Sequence, residues 1–111
     1  MDRIVLRLDP GRLKNSDTDL RYVLPDLICE RAGGRLTDDG WSYEGDPPFM
    51  VMWLRTEDIN AALPFVLDVV ENVRVMENDL RQACVVAVQR DGGCEVMYPA
   101  GFVGRFDPWA S

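Results

Sequence analysis

The chain contains no histidine. That removes the side chain whose unperturbed pKa lies nearest neutrality, and with it the commonest general base, the histidine-dependent serine and cysteine nucleophiles, and most zinc sites. Lysine is almost absent as well, since Lys14 stands alone among 12 basic residues and the others are arginine. Its nearest possible catalytic neighbour is Ser16, in a polar stretch where nothing would desolvate the amine and lower its pKa. No apolar run approaches the roughly 20 residues that a membrane-spanning helix needs. Met1-Asp2-Arg3 leads straight into Ile4-Val5-Leu6-Arg7-Leu8, which is too short and too soon charged for a secretory leader, so a cytoplasmic location is expected.

Cysteine is sparse and odd in number. Cys29, Cys84 and Cys94 show none of the close spacing of metal or redox motifs and read as small buried hydrophobes in a reducing compartment. Cys84 and Cys94 could face each other across a hairpin, but facing alone does not make a disulfide. No glycine-rich phosphate loop follows a strand, because Asp9-Pro10-Gly11-Arg12 has one glycine and opens no immediate helix. Asp38, Asp39, Glu44 and Asp46 cluster in one turn region without the alternating acids and closing glutamate of an EF-hand. Neither a cofactor nor a metal is expected, and no catalytic residue stands out.

What the chain does have is enough apolar material for one core. It is 47% hydrophobic over 111 residues, a length at which a single domain buries roughly two thirds of its unfolded surface without disulfides. The net charge is −7, from 19 acidic against 12 basic residues. A chain this acidic repels phosphate backbones, and no basic strip offsets that, so nucleic acid is not an expected partner and neither is a membrane. A basic protein is. Solubility alone is the competing explanation for the charge.

The centre of the pattern is Ala83-Cys84-Val85-Val86-Ala87-Val88-Gln89, a continuous apolar run that reads as a strand covered on both faces. Arg3 to Leu8 alternates as a strand and stops at Asp9-Pro10-Gly11. Leu20, Val23, Leu24, Leu27 and Ile28 form a helical stripe after the cap candidates of 15–19, closed by Gly33-Gly34. A segment from Arg35 to Tyr43 is either a strand with a bulge or a tight hairpin turned at Asp39-Gly40. After the loop Glu44-Gly45-Asp46-Pro47-Pro48 comes a second unbroken apolar strand, Phe49 to Leu54. Thr56 is the expected N-cap of a second helix, with Glu57 and Asp58 in its first turn and the stripe Ile59, Leu63, Val66, Leu67 and Val70.

Pro25 and Pro64 interrupt the two helices alike, within a shared pattern of Asp, aliphatic, three variable residues, Leu, Pro, at Asp19–Pro25 and Asp58–Pro64. A kinked but continuous helix is expected in each case, and the repeat suggests two half-domains. Val73 to Leu80 returns the chain with Asn78-Asp79 as its expected turn, and Cys94 to Tyr98 folds back on the central strand through Asp91-Gly92-Gly93.

This order predicts an α+β domain over 1–98, a ferredoxin-like split βαβ sandwich (βαββαβ plus an extra C-terminal strand) with two helices on one face of an antiparallel sheet. The first and third strands lie in the middle, and the central apolar run lies beside the first. Residues 99–111 are an irregular tail carrying Phe102, Phe106 and Trp109, packed on the domain or on a partner. The second sheet face is also apolar and needs a cover, whether the tail, a second copy or a partner.

Aromatic residues interleaved with acids give the expected partner surface: Asp38, Asp39, Trp41, Tyr43, Glu44, Asp46 and Trp53. The carboxylates would steer a basic protein, as in small acidic inhibitors of the immunity type that mask a bacterial toxin. The alternative is a ligand-sensing regulatory domain of amino-acid-binding type acting as a homodimer. A small acid/base enzyme is the third reading.

Overall fold

The computed structural model describes residues 2–45, 48–90 and 93–102. The chain forms β1 (Asp2–Leu8), a 3-10 turn (Pro10–Arg12), α1 (Leu20–Ala32), β2 (Thr37–Glu44), β3 (Phe49–Thr56) and α2 (Ile59–Asn72). It continues as β4 (Arg74–Val75), β5 (Asn78–Asp79), a second 3-10 turn (Leu80–Gln82), β6 (Cys84–Arg90) and β7 (Gly93–Tyr98). Five strands make an antiparallel sheet in the order β2-β3-β1-β6-β7, and β4 and β5 make a separate small hairpin.

The strict period of two decides what each face buries. On one face, Ile4, Leu6 and Leu8 of β1 join Met50, Met52 and Leu54 of β3 and Cys84, Val86 and Val88 of β6. Both helices lie on this face, through Leu20, Leu24 and Ile28 of α1 and Ile59, Ala62, Val66, Val69 and Val70 of α2. On the other face a cross-strand row runs Trp53, Val5, Ala87, Val96, one residue from each of four strands. Val5, Val51 and Ala87 are fully buried there. Beyond β7 the chain turns at Pro99, and Phe102 stands 5.9 Å from the Arg7 guanidinium, which also lies 4.5 Å from the Phe49 ring. Phe106 and Trp109 lie outside the described residues.

Both helices run unbroken through their prolines, each of which is the sixth residue of its helix. The repeated aspartate is the N-cap both times, so Asp58 and not the expected Thr56 caps α2, and only Asp58 uses its side chain, accepting the Ala61 N–H at 3.2 Å. Gly33 closes α1 in the left-handed conformation (φ 62°), which glycine adopts without steric penalty. Among the described residues no helix is long and apolar enough to cross a membrane.

Several local expectations are corrected. Val23 is exposed, because the buried stripe of α1 passes through Leu20, Leu24, Pro25, Ile28 and Ala32 instead. In α2, Ala62 and Val69 take the buried positions, while Leu63 and Leu67 are only partly covered. The turn of the β4–β5 hairpin is made by Met76 and Glu77, both with positive φ, and Asn78 is a buried strand residue. Cys84 and Cys94 do not face each other: Cys94 pairs with Gln89, while Cys84 sits at the far end of β6 with its side chain in the helix-covered core. Cys29 and Cys84 are free thiols. Of the two arrangements left open for the segment after Arg35, the strand with a bulge is the one formed.

Candidate functional site on the β2 edge

Among the described residues β2 is an edge strand, paired only with β3. Between Asp38 and Trp41 it carries one residue more than its partner, since Asp38 pairs with Leu54 and Trp41 with Met52. Gly40 takes up the extra residue at φ 104°, and its N–H is held at 2.9 Å by the Asp38 carboxylate. The bulge fixes which side chains share a face. Asp38, Trp41 and Tyr43 pair with Leu54, Met52 and Met50 and therefore stand on the helix side, whereas Ser42 and Glu44 pair with Val51 and Phe49 on the other.

At this edge of the sheet Trp41 stands against α1. Tyr22 of α1 meets Trp41 edge to face, with centroids 6.4 Å apart and planes at 84°. Trp41 meets Tyr43 in the same manner at 5.5 Å and 78°. This is the arrangement that the ring quadrupoles favour. The three rings stay 47%, 37% and 42% exposed for Tyr22, Trp41 and Tyr43. The guanidinium carbon of Arg21 lies 4.4 Å from the Trp41 centroid and 4.7 Å from that of Tyr22. The phenolic oxygen of Tyr22, and then that of Tyr43, hold the pKa of Arg21 above its ordinary value.

Two carboxylates flank these rings. Asp26 lies one helical turn after Tyr22 along α1, and Asp38 precedes Trp41 on β2. Both act on the thiol of Cys29, whose pKa is raised first by burial and then by Asp38 and Asp26.

The other residues expected at this surface are placed elsewhere. Asp39 faces the second side of the sheet, 3.4 Å from Arg3 and 3.7 Å from Arg55, so its charge is compensated. Glu44 accepts the Ser42 hydroxyl at 2.8 Å. Trp53 is 7% exposed within the second-face row. Asp46 lies outside the described residues. Sequence reasoning missed the α1 contribution of Arg21, Tyr22 and Asp26. The available signal was that Tyr22 falls between stripe positions of the first helix, where a large aromatic has no core to enter.

A cleft of about 540 Å³ opens at the start of α2, beside Arg35, Arg55 and Asp58. Three of its charged groups are engaged by the fold: Asp58 caps α2, Arg35 donates to the Ala32 carbonyl at 2.9 Å, and Arg55 pairs with Asp39. Among the described residues no group of three His, Cys, Asp or Glu side chains is placed to hold a metal ion. Comparison of the chain with protein-family models, with curated proteins and with solved structures finds no match.

Proposed function

We propose that this chain is a non-catalytic protein-binding module that covers a basic partner, in the manner of an immunity-type inhibitor masking a bacterial toxin in the cytoplasm. The observation that carries the reading is the continuous exposed surface of Tyr22, Trp41 and Tyr43 with Arg21 on it. Tryptophan, tyrosine and arginine are the residues most enriched at interface hot spots, and they dominate binding when they cluster at the centre of a patch. Asp26 and Asp38 on its flank, within a chain of net charge −7, supply complementarity to a basic surface and speed its approach. The scaffold in this reading is a ferredoxin-like sandwich with one added strand, supported by the adjacency of β1 and β3 at the middle of the sheet.

The test is co-purification from the native source at low and at high salt, with light scattering on the free chain. A stoichiometric basic protein should be retained at low salt and lost at high salt, and Trp41→Ala with Tyr43→Ala should abolish its capture. Retention by the double variant would remove this surface from the interface. A free chain that is a homodimer and captures nothing would favour the regulatory-domain reading.

A further inference from the structure

We propose that the corner formed by Tyr22, Trp41 and Tyr43 is a recognition site for an arginine side chain of the partner, and that this chain's own Arg21 occupies the corner until the partner displaces it. The inference rests on the reading above, that this surface meets a basic protein, and it names the group that is read there.

A guanidinium is bound by aromatic faces within about 6 Å of it, best where more than one face converges. The near-perpendicular rings of Tyr22 and Trp41 provide such a corner, and Arg21 shows that a guanidinium fits it, at 4.7 and 4.4 Å. Tyr43 extends the corner along β2, its ring at 78° to that of Trp41. The site therefore already displays the geometry of its ligand.

Apart from the rings and the phenolic oxygens of Tyr22 and Tyr43, little holds Arg21 there. Arg3, Arg12, Arg31, Arg55 and Arg81 each sit against a carboxylate, whereas among the described residues Arg21 forms no ion pair. Its Nε is buried without a hydrogen-bond acceptor, an arrangement that carries a desolvation penalty. Moving Arg21 out returns that N–H to water. An incoming arginine replaces the ring contacts one for one, and Asp26 on the same helix as Tyr22 and Asp38 on the same strand as Trp41 carry the opposite charge. The exchange thus favours the partner's side chain, while in the free protein Arg21 shields the exposed rings.

The experiment is a calorimetric titration of the full chain with a hexa-arginine amide peptide at fixed low salt. It compares wild type, Arg21→Ala, Trp41→Leu and the double variant, with Tyr22→Leu as a second background. Removing Arg21 should tighten peptide binding roughly fivefold, the scale of a cation–π contact at an exposed site. That gain should vanish in the Trp41→Leu and Tyr22→Leu backgrounds. A gain that persists without the rings reports only the change in net charge and overturns the proposal, as does an Arg21→Ala variant that binds no more tightly than wild type. A peptide that binds none of the proteins also overturns it. That last outcome leaves the protein-binding surface standing or falling on the co-purification result, so the two failures are distinguishable.

Discussion

Asn78 offers the sharpest test of how the periphery of this fold is held. It has no solvent exposure, although it directly follows the two-residue turn at Met76 and Glu77. Its Oδ1 accepts the Asn15 N–H at 2.8 Å, and its Nδ2 donates to the carbonyls of Asn15 at 2.7 Å and Met76 at 3.3 Å. One side-chain amide therefore takes the place of a strand neighbour, tying the connection before α1 to the β4–β5 hairpin. Asn78→Ala deletes all three bonds and strands the Asn15 backbone groups. At about 1 kcal/mol for each bond, and with Asn15 partly open to water, the loss should be about 2–3 kcal/mol. For a domain of this length that lowers Tm by roughly 8–12 °C.

Asn78→Asp separates the bonds from the volume. The acceptor for the Asn15 N–H survives, but an oxygen now faces two carbonyls in place of the donor, so at neutral pH the variant should be no more stable than Asn78→Ala. Repulsion by those carbonyls raises the folded-state pKa of the new acid above its unfolded value near 3.9. A raised pKa means that the relative stability is fully present below the unfolded value and lost as pH rises through the folded one. Thermal melts of both variants and wild type, run from acid to neutral pH, read this directly. An Asn78→Ala protein melting within about 3 °C of wild type, or an aspartate variant whose deficit does not shrink in acid, would show that the amide is not the tie.

Three further predictions follow from the same geometry. Burial pushes the Cys84 thiol up to about 12, against the opposing charge of Arg7, so its contribution to stability is intact below the unfolded thiol pKa and drains away as pH rises toward 12, by at most about 1.4 kcal/mol per pH unit; denaturant melts in alkali should show this slope in wild type and lose it in Cys84→Ala. Arg81 holds the Asp79 carboxyl down at about 2 through hydrogen bonds as short as 2.6 Å, so its stabilisation is present above the unfolded carboxyl pKa and lost as pH falls toward 2; a carboxyl titration by NMR should find that midpoint and see it rise in Arg81→Gln. Gly40 has open space around its Cα but a φ of 104°, so Gly40→Ala should lower stability by about 1 kcal/mol through the backbone alone, measured by chemical denaturation, with no change in the packed core.

Strong periodicity made the core legible. The runs Ile4 to Leu6, Met50 to Leu54 and Val86 to Val88 lie in strands because their residues are apolar on both sides, and both sides are buried. The helices were legible as elements, but not in detail. Val23 belongs to the apolar stripe by spacing and is nevertheless exposed, because Pro25 and Ala32 fill the face that turns inward. Asn78 reads as a turn residue by type. Its burial depends on Asn15, 63 residues earlier, and no local pattern records a contact of that separation.

The candidate site failed to be legible for a more specific reason. Strict alternation along β2 would place Asp39 with Trp41 and Tyr43 on one face, and Asp38 with Ser42 and Glu44 on the other. One extra residue at Gly40 reverses the first part of that assignment. Asp38 joins the aromatic rings, and Asp39 crosses to the far side, where Arg3 and Arg55 neutralise it. The acidic partner of the rings is thus chosen by a backbone irregularity whose only trace in the sequence is Asp-Asp-Gly, a triplet that serves a hairpin turn equally well. The aromatic half of the surface could be anticipated from β2 alone. Its charge could not, because Asp26 and Arg21 reach it from a helix whose rotation about its own axis is set by what Leu20, Leu24 and Ile28 bury beneath it.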